Sequence, residues 1–260
     1  VKEIPEKSER IRVVSLNTTV IDIDSAVRRV AEMARARESR YVCFSTVHMV
    51  MEAYDDPEFA ARVNAADMVV TDGMPLVWMQ KRHGRTDGGR VRANDLMTSL
   101  CEYAAENNLK VGFYGGKQEV IDAIKERAGR ELPNLQIAYA YSPPFRPLTA
   151  EEDARVTEEI KTSGAQVLFM GLGCPKQENW MAAHRGKIPA VMLGVGASFD
   201  FYAGNVKESP RWLQNMGLEW LYRLMQEPNR LWYRYLILNP RFMFLAARQL
   251  LVKRTNSENS

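Results

Sequence analysis

The chain has 260 residues, 46% of them hydrophobic and 26% charged, with a formal net charge of +3 at pH 7. That length suits one large α/β domain, with or without an appendage, and the composition is that of an ordinary soluble globular protein. Three cysteines (Cys43, Cys101 and Cys174) without CxxC spacing argue against a disulfide framework or a structural zinc site. They fit a reducing cytoplasm. The opening residues, VKEIPEKSERIRVV, lack a signal-peptide core, and no apolar run is long enough to span a bilayer.

Residues 11–21 alternate as a strand or hairpin, and Asp24 then precedes the helical pattern SAVRRVAEMARARE as its N-cap. YVCFSTV (41–47) is a β-rich run; HMVMEAYDDPEFAARVNAA is helical with a break near Pro57; MVVTDG (68–73) is a second short strand. A helix is expected over 95–108. Strands at 109–116, 135–141, 165–173 and 189–196 then alternate with helices, one of which opens with a capping pair, Thr149 and Glu152. Strand and helix at this pace predict an α/β, Rossmann-like fold: a mostly parallel sheet with helices on both faces.

From Pro210 the texture changes. No strand signal remains, Pro228 and Pro240 are expected to divide the chain into about three short helices, and Trp212, Trp220 and Trp232 lie among many arginines. The expected organisation is an α/β catalytic core over 1–204, a basic aromatic helical appendage over 205–254 and a disordered tail over 255–260. Tryptophan and tyrosine interleaved with arginine suit a membrane surface. A helical layer packed on the core or on another subunit is the alternative. The same composition could face single-stranded nucleic acid, but no accompanying module supports that reading, so none is expected.

In open parallel sheets, ligands bind outside the carboxyl ends of the strands. Here those ends carry Thr46 and His48, Asp72-Gly73, Gly115-Gly116, Gly171-Leu172-Gly173 and Gly194-Val195-Gly196. Glycine there lets backbone amides approach a phosphate or sugar. Neither GxGxxG opening the first unit nor GxxxxGK[ST] is present, which disfavours dinucleotide and P-loop chemistry. In GLGCPKQENW (171–180), Pro175 precedes a helix start that gathers Lys176, Gln177 and Glu178. Asp72 can be a helix cap or a general base at a rigid strand end. The acidic pair in Asp22-Ile23-Asp24 reads as a cap rather than a metal site. His83 reads as a solvated loop residue and His184 as structural.

The segments DG (72–73), GLGCPKQE (171–178), GVGASFDFYAG (194–204) and GLEWLYRLMQEPNR (217–230) stand in the order found in the WecG/TagA/CpsF family of bacterial glycosyltransferases. The chain resembles that family over roughly residues 40–240, and YSPPFRPLT (141–149) is similar to its exopolysaccharide and capsule branch. The resemblance implies an inverting, metal-independent hexosyltransferase with no cofactor. It would move a hexose or N-acetylhexosamine-type sugar from a UDP-sugar to a polyprenyl-diphosphate-linked saccharide at the inner face of the cytoplasmic membrane. By the same resemblance Asp72 matches the base, Thr46 and Gln177 match the sugar pocket, and Arg223 and Arg230 match the diphosphate-binding arginines. Self-association is a further expectation.

Three positions depart from the family's usual residues. His48 stands for asparagine, Glu208-Ser209-Pro210 stands for Arg-Ala-Pro, and Tyr233 stands for an arginine that neighbouring Arg234 could replace. The expected substrate-contacting set is therefore His48, Gly73, Gly115, Gly116, Gly171, Gly173, Lys176, Glu178, Gly194, Gly196, Arg223, Arg230 and Arg234. Arginine suits a metal-free diphosphate site because its planar fork grips phosphate bidentately. Two other readings are a nucleotide-sugar epimerase or dehydrogenase and a non-catalytic membrane-associated assembly factor.

Overall fold

The computed structural model describes residues 9–258. An antiparallel hairpin, β1 (Arg10–Val13) and β2 (Leu16–Thr19), leads into α1 (Ile23–Arg35). Next come β3 (Arg40–Ser45), α2 (Val47–Asp55), α3 (Pro57–Asn64), β4 (Met68–Thr71), α4 (Met74–Arg82) and α5 (Ala93–Glu106). The beat continues through β5 (Lys110–Gly115), α6 (Gln118–Glu131), β6 (Gln136–Tyr141) and α7 (Ala150–Ser163). It closes with β7 (Val167–Gly171), α8 (Lys176–His184), β8 (Val191–Gly194) and α9 (Ser198–Tyr202). The C-terminal part holds α10 (Arg211–Asn215), α11 (Glu219–Gln226), α12 (Pro228–Tyr233), a π-helical segment (Arg234–Leu238) and α13 (Asn239–Glu258).

Helix starts follow local hydrogen-bond chemistry. Asp22, not Asp24, caps α1, its carboxylate accepting from the Ser25 amide at 2.7 Å, while Asp24 adds charge to the first turn. Both halves of the Thr149–Glu152 capping box form at α7. Asp56 accepts from the Glu58 and Phe59 amides and Pro57 opens α3, which splits the long helical stretch after β3 in two.

Six strands pair parallel in the order β4-β3-β8-β7-β5-β6, with the hairpin as a separate two-stranded sheet. Side chains alternate between two apolar layers, as a sheet covered on both faces requires. Val42, Phe44, Val111, Phe113, Val167 and Phe169 meet α1, α5, α6 and α9 on one side. Tyr41, Cys43, Tyr114, Leu168 and Met192 meet α2, α3, α7 and α8 on the other. Stacked rings of Phe113 and Phe169, 5.4 Å apart, and the edge of Phe199, 5.8 Å from Phe113, tie α9 to the sheet.

The C-terminal helices differ from expectation at Pro240. The chain runs helically from Pro228 through Glu258, and Pro240 lies in the first turn of α13. Proline lacks an amide hydrogen, and its ring crowds the carbonyl four residues before it. The wider π turn immediately upstream accommodates that defect without stopping the helix. Leu238, Phe242 and Ala246 are buried in the same apolar layer as α2 and α3, so this region packs on the sheet's helical cover. The boundary expected near 205 falls between α9 and α10. That expected at 255 falls inside α13, and residues 259–260 lie outside the described residues.

Phe242 is 1% exposed. Phe242→Ala should cost about 3–5 kcal/mol, lowering the urea midpoint in one cooperative transition. An unchanged midpoint would mean that α13 is not part of the cooperative fold.

Candidate active site

β4, β3, β8 and β7 are neighbours in the sheet, and the turns after them form one rim. The C-terminal helices close the other side. The cleft between encloses about 490 Å³, enough for a nucleotide-sized ligand. It brings together Thr46, His48, Asp72, Gly73, Gly171, Gly173, Gln177, Gly194, Gly196, Arg223, Arg230 and Arg234.

Four expected residues are not in its lining. Gly115 ends β5 and Gly116 follows it, one strand beyond the rim. Gly115 has φ +121°, and a Cβ there would sit 2.6 Å from the Gly171 carbonyl carbon, so its glycine serves the close approach of two strand ends. Gly116 donates to the Gly171 carbonyl at 3.1 Å and belongs to the same structural turn. Lys176 is exposed at the start of α8, and Glu178 lies buried behind Gln177.

Asp72 is both a cap and a cleft residue, though it caps a different helix from the one that follows it. Gly73 is the N-cap of α4 and makes no side-chain bond. Asp72 Oδ2 instead accepts from the Ala93 amide of α5 at 3.3 Å. Oδ1 lies 3.5 Å from the Arg90 guanidinium, whose Nε also donates to the Asp72 carbonyl. The carboxylate keeps 21% of its side-chain surface exposed, towards the cleft. Burial pushes its pKa up; Arg90 opposes that, Glu219 adds to it, and the balance is upward.

Gln177 has committed its amide. Its Oε1 accepts from the Gly173 amide at 3.0 Å, and its Nε2 donates to the Gly194 carbonyl at 2.7 Å and to Glu178 Oε1 at 2.8 Å. A Cβ on Gly194 would meet that Nε2 at 2.9 Å, so a glycine is needed for the brace to form. Gln177 thus clamps the turns after β7 and β8 together and shapes the cleft floor. Glu178 is fully buried, and its Oε2 has no hydrogen-bond partner. Burial, partly offset by Gln177, pushes its pKa up to about 7.

Thr46 caps α2, its Oγ1 accepting from the Met49 amide at 3.4 Å, and shares the rim with Gly73, whose amide donates to the Ser45 carbonyl. His48 lies 3.3 Å from Glu52. Burial and the nearby Arg234 push its pKa down to about 4, so near neutrality it offers uncharged ring nitrogens.

Arg234 is carried by the π-helical segment and faces the cleft, whereas Tyr233 is 54% exposed. Burial, with Arg223 and Arg230 nearby, depresses the Arg234 pKa. The Arg223 Nε is buried without a hydrogen-bond partner, and its closest acid, Glu227, is 3.8 Å away. Arg230 holds Glu227 at 2.8 Å. These guanidiniums crowd one wall, an arrangement that suits a bound anion.

Sequence reasoning missed Arg90, Arg92, Glu219 and Tyr235, all of which line the cleft. Glu219 binds Arg90 at 2.6 Å and Arg92 at 3.3 Å, and Arg92 also holds Asp95 at 3.0 Å and Glu208 at 3.1 Å. The signal was RVRAND (90–95), two arginines around a buried valine that put both cations on one side of an extended segment. His184 is a buried structural group, bonded to the Trp180 carbonyl at 2.8 Å and to Asp153 at 3.0 Å. His83 lies 2.8 Å from the Met79 carbonyl. Among the described residues, no group of three or more His, Cys, Asp and Glu side chains is arranged to hold a metal ion.

Glu178 gives a pH test of this packing. Its pKa is about 7 when folded against an ordinary 4.5, so between those values the folded chain holds the proton more firmly than the unfolded one. Its stability contribution is full below about pH 4.5 and is lost as the pH rises to about 7. Glu178→Gln stays neutral and keeps an acceptor for Gln177. Relative to wild type, it should gain stability across that window and hold the gain above it. A difference independent of pH in denaturant titrations would contradict the buried carboxyl.

Comparison with known proteins gives the chain a family. Residues 11–256 match the model of the glycosyl transferase WecG/TagA/CpsF family. A Bacillus spizizenii protein named N-acetylglucosaminyldiphosphoundecaprenol N-acetyl-beta-D-mannosaminyltransferase is 36% identical over 186 residues, 71% of this chain and 70% of its own. A Bacillus subtilis protein of the same name is 30% identical over 195 residues, 74% of each chain. The parallel sheet, the cleft at its carboxyl edge and a match along nearly the whole sequence lead to one conclusion: the chain belongs to the WecG/TagA/CpsF family of glycosyltransferases.

Proposed function

We propose that the chain transfers an N-acetylhexosamine, of the N-acetylmannosamine type named for its relatives, from a UDP-sugar to a polyprenyl-diphosphate-linked saccharide. The observation that carries this reading is the cleft itself. One carboxylate with a raised pKa, Asp72, shares it with the guanidiniums of Arg90, Arg92, Arg223, Arg230 and Arg234.

The transfer is a single inverting displacement. The acceptor hydroxyl oxygen bonds to the anomeric carbon as the bond from that carbon to the UDP oxygen breaks. Asp72 takes the hydroxyl proton, and its raised pKa makes it a stronger base than an exposed aspartate. The diphosphate leaves with increased negative charge, and fixed arginines stabilise that charge in a partly dried cleft. We assign this role to Arg223, Arg230 and Arg234, which supports a reaction that needs no divalent metal. Thr46 and the Gln177-braced turns shape the sugar end.

The acceptor's lipid would meet the C-terminal helices. Trp212, Trp232, Leu236, Met243, Phe244 and Leu251 are all more than half exposed there, with Arg248 also exposed. Among the described residues no helix is long and apolar enough to cross a membrane. We therefore propose surface contact at the inner leaflet, in the service of a cell-surface glycopolymer.

One assay tests the reading: UDP release in EDTA with UDP-N-acetylmannosamine and a polyprenyl-diphosphate N-acetylglucosamine acceptor, offered either short-chain in solution or long-chain in anionic vesicles. Asp72→Asn should lower kcat about 10²–10⁴-fold on both acceptors with little change in KM. Trp232→Ser with Phe244→Ser should lower turnover only on the vesicle-borne acceptor. Undiminished turnover in Asp72→Asn would remove it as the base. Absence of acceptor-dependent release across a panel of UDP-sugars, with and without divalent metal, would favour a non-catalytic assembly role.

A further inference from the structure

Glu219 opens α11 and ties the C-terminal helices to Asp72 through Arg90. It stands four residues before Arg223, one of the cleft cations, so a single turn of helix delivers both. Glu219 does not bond Asp72. Its Oε2 binds the Arg90 guanidinium at 2.6 Å, and its Oε1 lies 3.3 Å from Arg92. Arg90 in turn contacts Asp72 twice, through Nε to the main-chain carbonyl and through Nη2 to the carboxylate at 3.5 Å.

The relay is largely shielded from water. The side chains of Arg90, Arg92 and Glu219 are 18%, 8% and 15% exposed. Burial works against the Glu219 charge, but Arg90 and Arg92 outweigh it and hold its pKa below the ordinary glutamate value. Glu219 is therefore an anion at neutral pH, held 2.6 Å from the guanidinium that touches Asp72.

We propose that Glu219 is a positioning residue: it fixes Arg90 against Asp72, so that seating α11 on the core both supplies Arg223 and completes the setting of Asp72. The inference rests on the reading of Asp72 as the base, and adds that the base is set from the C-terminal helices rather than by its own strand end. Glu208 backs the arrangement from the α9–α10 connection, holding Arg92 at 3.1 Å and bonding Asn94.

The groups facing Asp72 give the test a decisive sign. They are Arg90 and Arg92 from the segment before α5, the Ala93 amide of α5, Glu219 of α11 and Tyr235 of the π-helical segment. If Glu219 were only a nearby negative charge, its removal would make Asp72 easier to ionise. If Glu219 holds Arg90 in place, its removal frees Arg90 and makes Asp72 harder to ionise.

The experiment is a carboxyl-carbon NMR titration of the full chain, with the Asp72 signal assigned by its loss in Asp72→Asn. Arg90→Gln should raise the Asp72 midpoint by about one pH unit. Glu219→Gln should also raise it, by less than Arg90→Gln because the Glu219 charge that opposes Asp72 ionisation is lost with it, and the Arg90→Gln, Glu219→Gln double variant should rise no further than Arg90→Gln alone. A lowered or unchanged midpoint in Glu219→Gln would overturn the proposal, as would additive shifts in the double variant. Should Glu219→Gln not fold, Glu219→Asp is read by the same sign. The titration reports on Asp72 whether or not it is the base, so failure of UDP release and failure of this relay are separate results.

Discussion

As the proposed base, the Asp72 carboxylate answers to two opposed demands, and the site is arranged around their balance. A base must hold its proton readily, which burial favours; yet a buried carboxylate needs a cation and hydrogen bonds to remain in place at all. Arg90 and the Ala93 amide meet the second demand without cancelling the first, because Arg90 is itself shared with Glu219. The carboxyl edges of β4, β3, β8 and β7 supply the rigid frame. The C-terminal helices supply Glu219 and the cations opposite. Neither half makes the cleft alone.

Much of the core was legible in the sequence because its signals are local. Apolar runs of β-branched and aromatic residues gave every strand of the parallel sheet to within a few residues, and Thr149 with Glu152 marked a helix start that forms as expected. What could not be read depends on contacts distant in sequence. Gly115 and Gly116 looked like ligand-binding turns, but strand order places them one strand from the cleft and gives them a packing role. Gln177 lines the cleft as expected, but how it shapes the cleft, with its amide bonded to Gly173, Gly194 and Glu178, depends on turns brought together only by the fold. Pro240 looked like a helix stop, but a π turn absorbs it. Arg90 and Arg92 carried no familiar motif beyond their spacing around Val91, and their shared partner Glu219 on α11 is what shows their place in the cleft.

The positions read in the sequence as departures from the family's pattern acquire physical explanations. Glu208, acidic where a basic residue is common, pairs with Arg92 and Asn94 and so strengthens the junction between α5 and the C-terminal segment. Tyr233, the last residue of α12, points outward, while Arg234, the next residue and so about 100° further round the helix, enters the cleft. His48 is held neutral by burial and Arg234, so it can stand where an uncharged amide is usual without adding charge.

In the function proposed, clustered guanidiniums, rather than a divalent cation, hold a nucleoside diphosphate beside Asp72. Calorimetric titration of UDP in EDTA tests it most directly, with wild type, Arg223→Gln and Arg234→Gln compared at two salt concentrations. UDP should bind without metal, about tenfold more weakly in each variant and more weakly at high salt. Binding that requires a divalent metal, or that neither substitution alters, would contradict it.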